Sequence, residues 1–391
     1  MKLHGTFLAA LLLGVLPALA QVELGIDVLS SNRFDLLQGK RVGLVTNQTG
    51  VNRAGVKTRV VLKRNVNLVA LYTPEHGLDG TEKAGKYVKT RKDPVTGLIA
   101  YSLYGETRKP TPEMLAPIDV LVYDMQDIGC RSYTYISTMA RCMQACAELG
   151  KEFVILDRPN PLGGNRVEGM PLETKWISFV GQIPVPYVHG MTVGELGLMT
   201  NAKGWMSSKP CDLKVVKMRG WRREMAFTDT GLTWVQTSPN IPRAMSPFYY
   251  VATGVVGSLG GGFDIGIGSI PFEMISAGWM SGEKMTTFLR SGPFPGITFE
   301  QIKGGTRLRI DPHAPGDITA LSLYILWEAN RQSRGAIFSR SSSDQLDIFY
   351  KVYGSQSIRA LLNNASAAQI VASWRPFVEG FRRDRQPYLL Y

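Results

Sequence analysis

Residues 68–77 of the 391-residue chain are LVALYTPEHG, a short apolar run that ends at a Thr-Pro pair and is followed by Glu75 and His76. The run predicts a buried strand, and the proline predicts where it ends. In open α/β sheets, functional side chains lie at the carboxyl ends of the strands. The stretch therefore predicts a functional carboxylate and imidazole at a sheet edge, although an ordinary turn with polar caps would show the same pattern.

Similar apolar runs alternate with helical patterns along the first 240 residues. Alternation of this kind indicates parallel βαβ units whose sheet is covered on both faces. The predicted fold class is therefore α/β, with a Rossmann-like, mostly parallel sheet domain followed by a smaller mixed α+β domain. Strands are predicted at residues 41–46, 101–104, 118–124 and 153–157, and helices at residues 57–64 and 136–147, the latter ending at Gly150.

The N-terminus predicts export. Lys2 precedes an apolar run at residues 7–16, and the small residues 18–20 fit a signal-peptidase site. An uncleaved anchor is the alternative, but the run is short for a membrane span. We expect a signal peptide at 1–20, a catalytic domain at 21–240 and a C-terminal domain at 241–391, in a periplasmic or secreted protein without stable membrane insertion.

Charge and cysteine content exclude several classes of protein. The net charge is +12, but the basic residues are scattered among acids, which argues against nucleic-acid binding and weakly favours anionic partners such as wall polymers. Only three histidines follow residue 20, so a Cys/His metal site is not expected. We expect four buried free thiols, although Cys130 or Cys211 could form a disulfide after export.

Polar residues follow each predicted strand at its carboxyl end. These ends share one edge of a parallel sheet, so their side chains should converge on a single crevice. Glu195, by contrast, lies three residues after Thr192 in a helix-capping pattern and is expected to be structural. The converging residues are Asn47, Glu75, Asp124 with Gln126, and Asp157 with Arg158.

This set of side chains suits sugar chemistry. Glycoside cleavage needs one carboxyl group to protonate the leaving oxygen and usually a second as base or nucleophile, and we expect Glu75 to be the acid. No Gly-x-Ser-x-Gly motif supports acyl transfer. Residues 254–268 contain seven glycines and one charge, Asp264. They match no nucleotide fingerprint, so a close-packed loop lining a cleft is favoured over a phosphate cradle.

Several ordered motifs resemble the NamZ-type exo-β-N-acetylmuramidase family over nearly the whole chain after residue 20. The resemblance implies a cleft that removes terminal N-acetylmuramic acid from peptidoglycan fragments, without a metal or nucleotide cofactor. The motifs are TPEHG at 73–77, YDMQDIG at 123–129, LDRPNPLGG at 156–164, VEG at 167–169, HGMTVGE at 189–195, SPN at 238–240 and RQPYLLY at 385–391.

The resemblance also implies roles for individual residues. Glu75 would carry the catalytic acid role. Asp264 lies where the chain departs from the family pattern, and we expect it as the second catalytic carboxylate if it substitutes for a family glutamate. The resemblance implies that His76, Gln126, Arg158, His189 and Asn240 line the sugar site. From their places just after predicted strands, we also expect Asn47, Asp124 and Asn160 to bind substrate.

One loop departs from the family pattern. The family's first glutamate falls on Gly257, its second on Phe263 or Asp264, and its arginine on Ile267. Two functions follow. Asp264 could replace a glutamate in a working glycosidase, where glycines allow the shorter side chain to approach. Alternatively, the chain could be a non-catalytic muramyl-sugar-binding protein, or an enzyme of altered specificity, on the same scaffold.

Overall fold

The computed structural model describes residues 21–391, so the predicted signal peptide lies outside the described part of the chain. The first domain is built on a seven-stranded sheet in the order β3-β4-β2-β1-β5-β6-β7. All neighbouring strands are parallel except β3, which pairs antiparallel with β4. The strands are β1 Arg41–Thr46, β2 Asn67–Thr73, β3 Arg91–Lys92, β4 Ile99–Ser102, β5 Val120–Asp124, β6 Glu152–Leu156 and β7 Asp212–Val216.

Helices cover both faces of this sheet, as its apolar strands require. Two helices, α1 and α2, pack on one face, and α4 and α5 pack on the other. The helix α4 ends at Gly150, whose left-handed conformation closes the last turn. The helices of this domain are α1 Gly25–Ser31, α2 Thr58–Asn65, α3 Pro112–Leu115, α4 Thr134–Leu149 and α5 Val193–Ala202.

The second domain combines a four-stranded antiparallel sheet, in the order β10-β11-β9-β8, with six helices. Its strands are β8 Phe263–Asp264, β9 Met274–Ala277, β10 Ile297–Ile302 and β11 Gly305–Ile310. Its helices are α6 Ser246–Ser258, α7 Gly282–Arg290, α8 Ile318–Gln332, α9 Ser343–Tyr353, α10 Ile358–Asn364 and α11 Ala367–Asp384. Short 3-10 helices lie at Asp35–Leu37, Thr174–Trp176, Phe227–Asp229, Phe338–Arg340 and Gln386–Tyr388.

The α/β class and the smaller mixed second domain are confirmed. The prediction of a loop over residues 254–268 is wrong in its first part, because Gly254 and Gly257 lie inside α6. Two glycines in a helix concealed the helical pattern, since glycine is a poor helix former. The remaining residues form turns around β8.

One hydrophobic core joins the domains. It contains Met139 of α4 together with Phe248 of α6 and Leu321 of α8. The second domain is therefore packed against the α4 face of the first. Within residues 21–391, no helix is both long and apolar enough to cross a bilayer.

Candidate active site

Glu75 follows directly after β2 and is held from two directions. Its Oε1 accepts a hydrogen bond from the backbone N–H of Gly85 at 2.7 Å, and its Oε2 accepts one from the hydroxyl of Thr134, also at 2.7 Å. Thr134 is the first residue of the 16-residue helix α4, whose N-terminal dipole favours a nearby carboxylate. Only 7% of Glu75 is exposed. Two elements therefore fix the orientation of this carboxyl group.

Several tyrosine side chains lie near Glu75. Burial, followed by the charge of Glu75, raises the pKa of Tyr104 to about 12. The same carboxylate contributes to the raised pKa of Tyr133 and Tyr250, for which burial is again the larger cause. Tyr250 lies on α6, so the second domain contributes to the surroundings of Glu75. Sequence reasoning missed these tyrosines, although Tyr133 and Tyr135, which follow β5, were a visible signal.

His76 has a left-handed backbone, with φ of 70°, which is uncommon for a residue with a side chain. Its Nδ1 lies 2.7 Å from the carbonyl oxygen of Glu82. The loop at 76–85 is thus tied back to the end of β2, which also brings the Gly85 N–H to Glu75. In this structure His76 shapes the loop that holds the carboxylate.

The ends of β1 and β5 meet as predicted. Asn47 Oδ1 accepts hydrogen bonds from the backbone N–H and the hydroxyl of Thr49 at 2.9 and 2.6 Å. The Thr49 hydroxyl in turn accepts one from the backbone N–H of Gln126 at 2.9 Å. The side-chain amide of Gln126 donates to Pro159 O at 2.8 Å. Asn47 and Gln126 therefore belong to one network.

Asp124 and Arg158 form a buried ion pair at the same edge. The guanidinium donates from Nε and Nη2 to the two carboxylate oxygens at 2.6 and 2.9 Å. The Thr58 hydroxyl donates a further hydrogen bond to Asp124 Oδ2 at 2.5 Å. A buried ion pair with this many hydrogen bonds suits a structural role at the strand ends. Removing one partner would leave the other as an uncompensated buried charge.

A cavity of about 240 Å³ opens beside this pair. Gln126 and Arg158 line it together with Thr49, and apolar side chains such as Phe227 and Val235 form another part of its wall. The cavity lies at the carboxyl ends of the neighbouring strands β1 and β5. From β1 the chain continues to β2 on one side, and from β5 it continues to β6 on the other. Open α/β sheets bind ligands at such a point, where the strand order reverses.

The segment 232–240 connects this cavity with the surroundings of Glu75. The Gln48 side chain donates to Thr237 O at 3.0 Å, and the Tyr133 hydroxyl donates to Thr237 Oγ1 at 2.9 Å. Thr237 is thereby fixed between the end of β1 and the start of α4. Asn240, a predicted substrate-binding residue, follows on the same segment and is half-buried.

Asn160 and His189 lie in a separate buried network. Asn160 Nδ2 donates to Met191 O at 3.0 Å, and His189 Nδ1 accepts from the Met191 N–H at 3.2 Å. Burial and, to a smaller extent, nearby Arg385 lower the pKa of His189 to about 3. Arg385 also donates to the carbonyl oxygen of His189 at 3.2 Å. These contacts order the loop before α5 and attach the C-terminus to it, and the predicted substrate contacts of both residues stay predictions.

Asp264 lies on β8 at an edge of the second sheet and is exposed. Its Oδ1 accepts a hydrogen bond from the N–H of Gly266 at 2.8 Å, within its own turn. Across residues 21–391, none of its side-chain hydrogen bonds or ion pairs reaches the first sheet. Its pairing with Glu75 stays a prediction.

An apolar contact closes the space at Gly257, the position on which the resemblance places a glutamate. A Cβ atom placed on Gly257 would lie 2.4 Å from Cδ1 of Ile265. A side chain at this position therefore requires Ile265 to move.

Asp127 is a buried carboxyl group that sequence reasoning did not assign. Burial raises its pKa to about 7. Its Oδ2 accepts from the Gly129 N–H at 2.7 Å, whereas Oδ1 is shielded from solvent and has no hydrogen-bond partner in the described chain. Asp127 and Glu75 both contribute to the raised pKa of Tyr133. A second titratable acid thus lies at the same end of the sheet.

The cysteine prediction is confirmed for free thiols: Cys130, Cys142, Cys146 and Cys211 are all buried and unpaired. In the part of the chain that the structure describes, no three His, Cys, Asp or Glu side chains are grouped as metal ligands.

Comparison with known proteins covers both domains. A model for the N-terminal part of the exo-β-N-acetylmuramidase NamZ matches residues 42–245, and a model for its C-terminal part matches residues 248–391. The chain is 39% identical over 389 residues to the peptidoglycan β-N-acetylmuramidase NamZ of Bacillus subtilis (strain 168), covering 95% of this chain and 92% of that protein.

Two solved structures share the fold. A DUF1343 family protein from Bacteroides fragilis NCTC 9343 superposes with a TM-score of 0.88 at 43% identity, covering 96% of this chain and all of that one. A second DUF1343 family protein from the same organism gives a TM-score of 0.72 at 29% identity, covering 95% and 99% of the two chains. The sequence and the fold agree, and the chain belongs to the NamZ exo-β-N-acetylmuramidase family.

Proposed function

We propose that this protein is a glycosidase that removes terminal N-acetylmuramic acid from peptidoglycan fragments, with Glu75 as its catalytic carboxyl group. Family membership over both domains and the similarity to a peptidoglycan β-N-acetylmuramidase support the substrate. One observation carries the role of Glu75: hydrogen bonds from Gly85 and Thr134 orient its carboxylate at the carboxyl end of a central parallel strand.

The surroundings of Glu75 suit general acid–base catalysis at a sugar. A positioned carboxyl group can protonate the departing glycosidic oxygen, and its efficiency depends on being held in the productive orientation. The nearby tyrosines offer flat apolar rings with a polar hydroxyl end, which suits the mixed surface of a pyranose ring. Tyr250 comes from α6, so packing of the two domains completes this surface.

The decisive experiment uses the mature chain and a chromogenic β-glycoside of N-acetylmuramic acid. We expect the wild-type protein to release the chromophore and Glu75→Gln to release almost none, because glutamine cannot exchange a proton at the glycosidic oxygen. Unchanged turnover by Glu75→Gln would remove Glu75 from the mechanism. Binding of the sugar by wild-type protein without any release would instead support the muramyl-sugar-binding alternative.

The proposal includes export to the periplasm or the medium. The apolar run at residues 7–16, followed by small residues at 18–20, supports this location, as does a substrate in the cell wall. Intact mass measurement of the protein from fractionated cells tests it. We expect a chain that begins near Gln21 outside the cytoplasm, and full-length chain in the cytoplasm would contradict export.

A further inference from the structure

Arg108 is stacked on an aromatic surface beside the candidate active site. Its Cζ atom lies 3.3 Å from the ring centroid of Tyr104 and 5.1 Å from that of Phe179. The two rings are themselves neighbours, with centroids 5.8 Å apart. Contact with ring faces holds a planar guanidinium in a defined orientation while leaving its N–H groups free to bind.

Tyr104 places Arg108 at the same end of the parallel strands as Glu75. It follows β4, which pairs with β2, and the N–H of Leu103 donates to Thr73 O at 2.8 Å. The negative charge of Glu75 helps to raise the pKa of Tyr104, while the positive charge of Arg108 acts in the opposite direction. A carboxylate and a guanidinium therefore flank one tyrosine ring.

Arg108 forms no ion pair within the described chain. The half-buried Arg108 has no carboxylate within ion-pair distance among residues 21–391, and its Nη1 is shielded from solvent without an acceptor. Arg158 and Arg166, by contrast, are paired with Asp124 and Glu168. The adjacent Lys109 is paired as well, with Glu148 at 2.6 Å. A partly buried guanidinium without an ion-pair partner is suited to an anionic ligand.

The proposed substrate carries such an anion. N-acetylmuramic acid differs from N-acetylglucosamine by a lactyl ether at O3, which ends in a carboxylate. We propose that Arg108 binds this lactyl carboxylate and thereby makes the site selective for muramic acid over N-acetylglucosamine. The inference rests on the proposed function and identifies the side chain that recognises the lactyl carboxylate. A forked guanidinium matches a carboxylate better than an ammonium does.

The kinetic test compares three chromogenic β-glycosides: those of N-acetylmuramic acid, its lactyl methyl ester and N-acetylglucosamine. For Arg108→Met we expect kcat/KM on N-acetylmuramic acid to fall about 10- to 100-fold, the range for losing a hydrogen-bonded charge. Most of the loss should appear in KM, and the two uncharged glycosides should be affected little. Arg108→Lys should retain part of the preference, and Lys109→Met should leave all three values unchanged.

A binding experiment separates this inference from the proposed function. Calorimetry with free N-acetylmuramic acid and free N-acetylglucosamine compares wild-type protein, Arg108→Met and Arg108→Lys, each checked by circular dichroism for folding. If no glycoside is hydrolysed, the proposed function fails, but a preference for the acidic sugar that Arg108→Met abolishes still supports Arg108. Equal losses on all three glycosides, or an unchanged preference in the binding measurement, would overturn the role of Arg108.

Discussion

The two carboxylates predicted to act together lie in contrasting surroundings. Glu75 is 7% exposed and accepts hydrogen bonds from a distant loop and from the first residue of α4. Asp264 is exposed and accepts one hydrogen bond from a residue two positions away. Tertiary contacts orient the first carboxylate, whereas a local turn orients the second. Since catalysis needs a fixed geometry, the contrast favours Glu75 as the catalytic carboxyl group that the whole fold positions.

The largest effect is expected from Glu75→Gln. Removing a general acid–base group typically costs about 10²- to 10⁴-fold in rate, and glutamine preserves the size of the side chain. Release of chromophore from the muramic acid glycoside measures this loss. Glu82→Gln is the matched control, because Glu82 lies on the same loop with its side chain exposed, and it should retain full activity. Comparable losses in both variants would show that the loop, and not the Glu75 carboxyl group, matters.

The next prediction concerns Asp127, the other buried acid at this end of the sheet. Its folded-state pKa of about 7 lies above its ordinary value of 3.8, so the unfolded chain loses this proton first as pH rises. The stabilising contribution of neutral Asp127 is complete below about pH 4 and is lost as pH rises through 7, at about 1.4 kcal/mol for each pKa unit of difference.

Urea unfolding of wild-type protein and Asp127→Asn between pH 4 and pH 8 measures this effect. The free energy of unfolding of the wild type should fall relative to that of the variant over this range. Asparagine can still accept the hydrogen bond from Gly129, so the variant should fold. The difference between the two proteins cancels the contribution of Asp157, whose pKa burial raises to about 6. Parallel stability curves would show that Asp127 does not titrate there.

A smaller effect should distinguish two helical positions near Asp264. Gly257→Glu adds a glutamate at the position where the resemblance leads us to expect one, but it forces the new Cβ to 2.4 Å from Cδ1 of Ile265. We therefore expect a loss of about 1 to 3 kcal/mol in the free energy of unfolding. Gly254→Glu is the matched control, because its Cβ would approach Tyr250 no closer than 3.4 Å.

Chemical denaturation measures both Gly257→Glu and Gly254→Glu. Adding Ile265→Ala to Gly257→Glu should recover stability, because it removes the methyl group that the new side chain meets. Equal stabilities of the two single variants would mean that Ile265 moves at no cost.

The contrast between the two carboxylates also separates what sequence patterns can and cannot predict. Strands β1, β2, β5 and β6 were predicted from their apolar runs, and their carboxyl ends share one edge because the strands are parallel. Of the side chains predicted to meet there, Gln126 and Arg158 line the cavity, and convergence of the others on it stays a prediction. Strand β7 was missed because it is only partly buried, and its alternating Asp-Leu-Lys pattern lacks a continuous apolar run. The donors to Glu75, Gly85 and Thr134, are joined only by folding, so no spacing in the sequence indicates them.

The smallest effect is expected from Asp264→Asn, and it bears most directly on the contrast. Asparagine retains an Oδ1 that can accept the hydrogen bond from Gly266, so the turn should survive. If Asp264 serves only this turn, kcat/KM on the muramic acid glycoside should change by less than about threefold, a free-energy difference below about 1 kcal/mol. A loss close to that of Glu75→Gln, with unchanged stability, would instead make Asp264 the second carboxylate. Binding of substrate would then have to bring Asp264 of β8 and Glu75 after β2 into one site, because the hydrogen bond of Asp264 stays within its own turn.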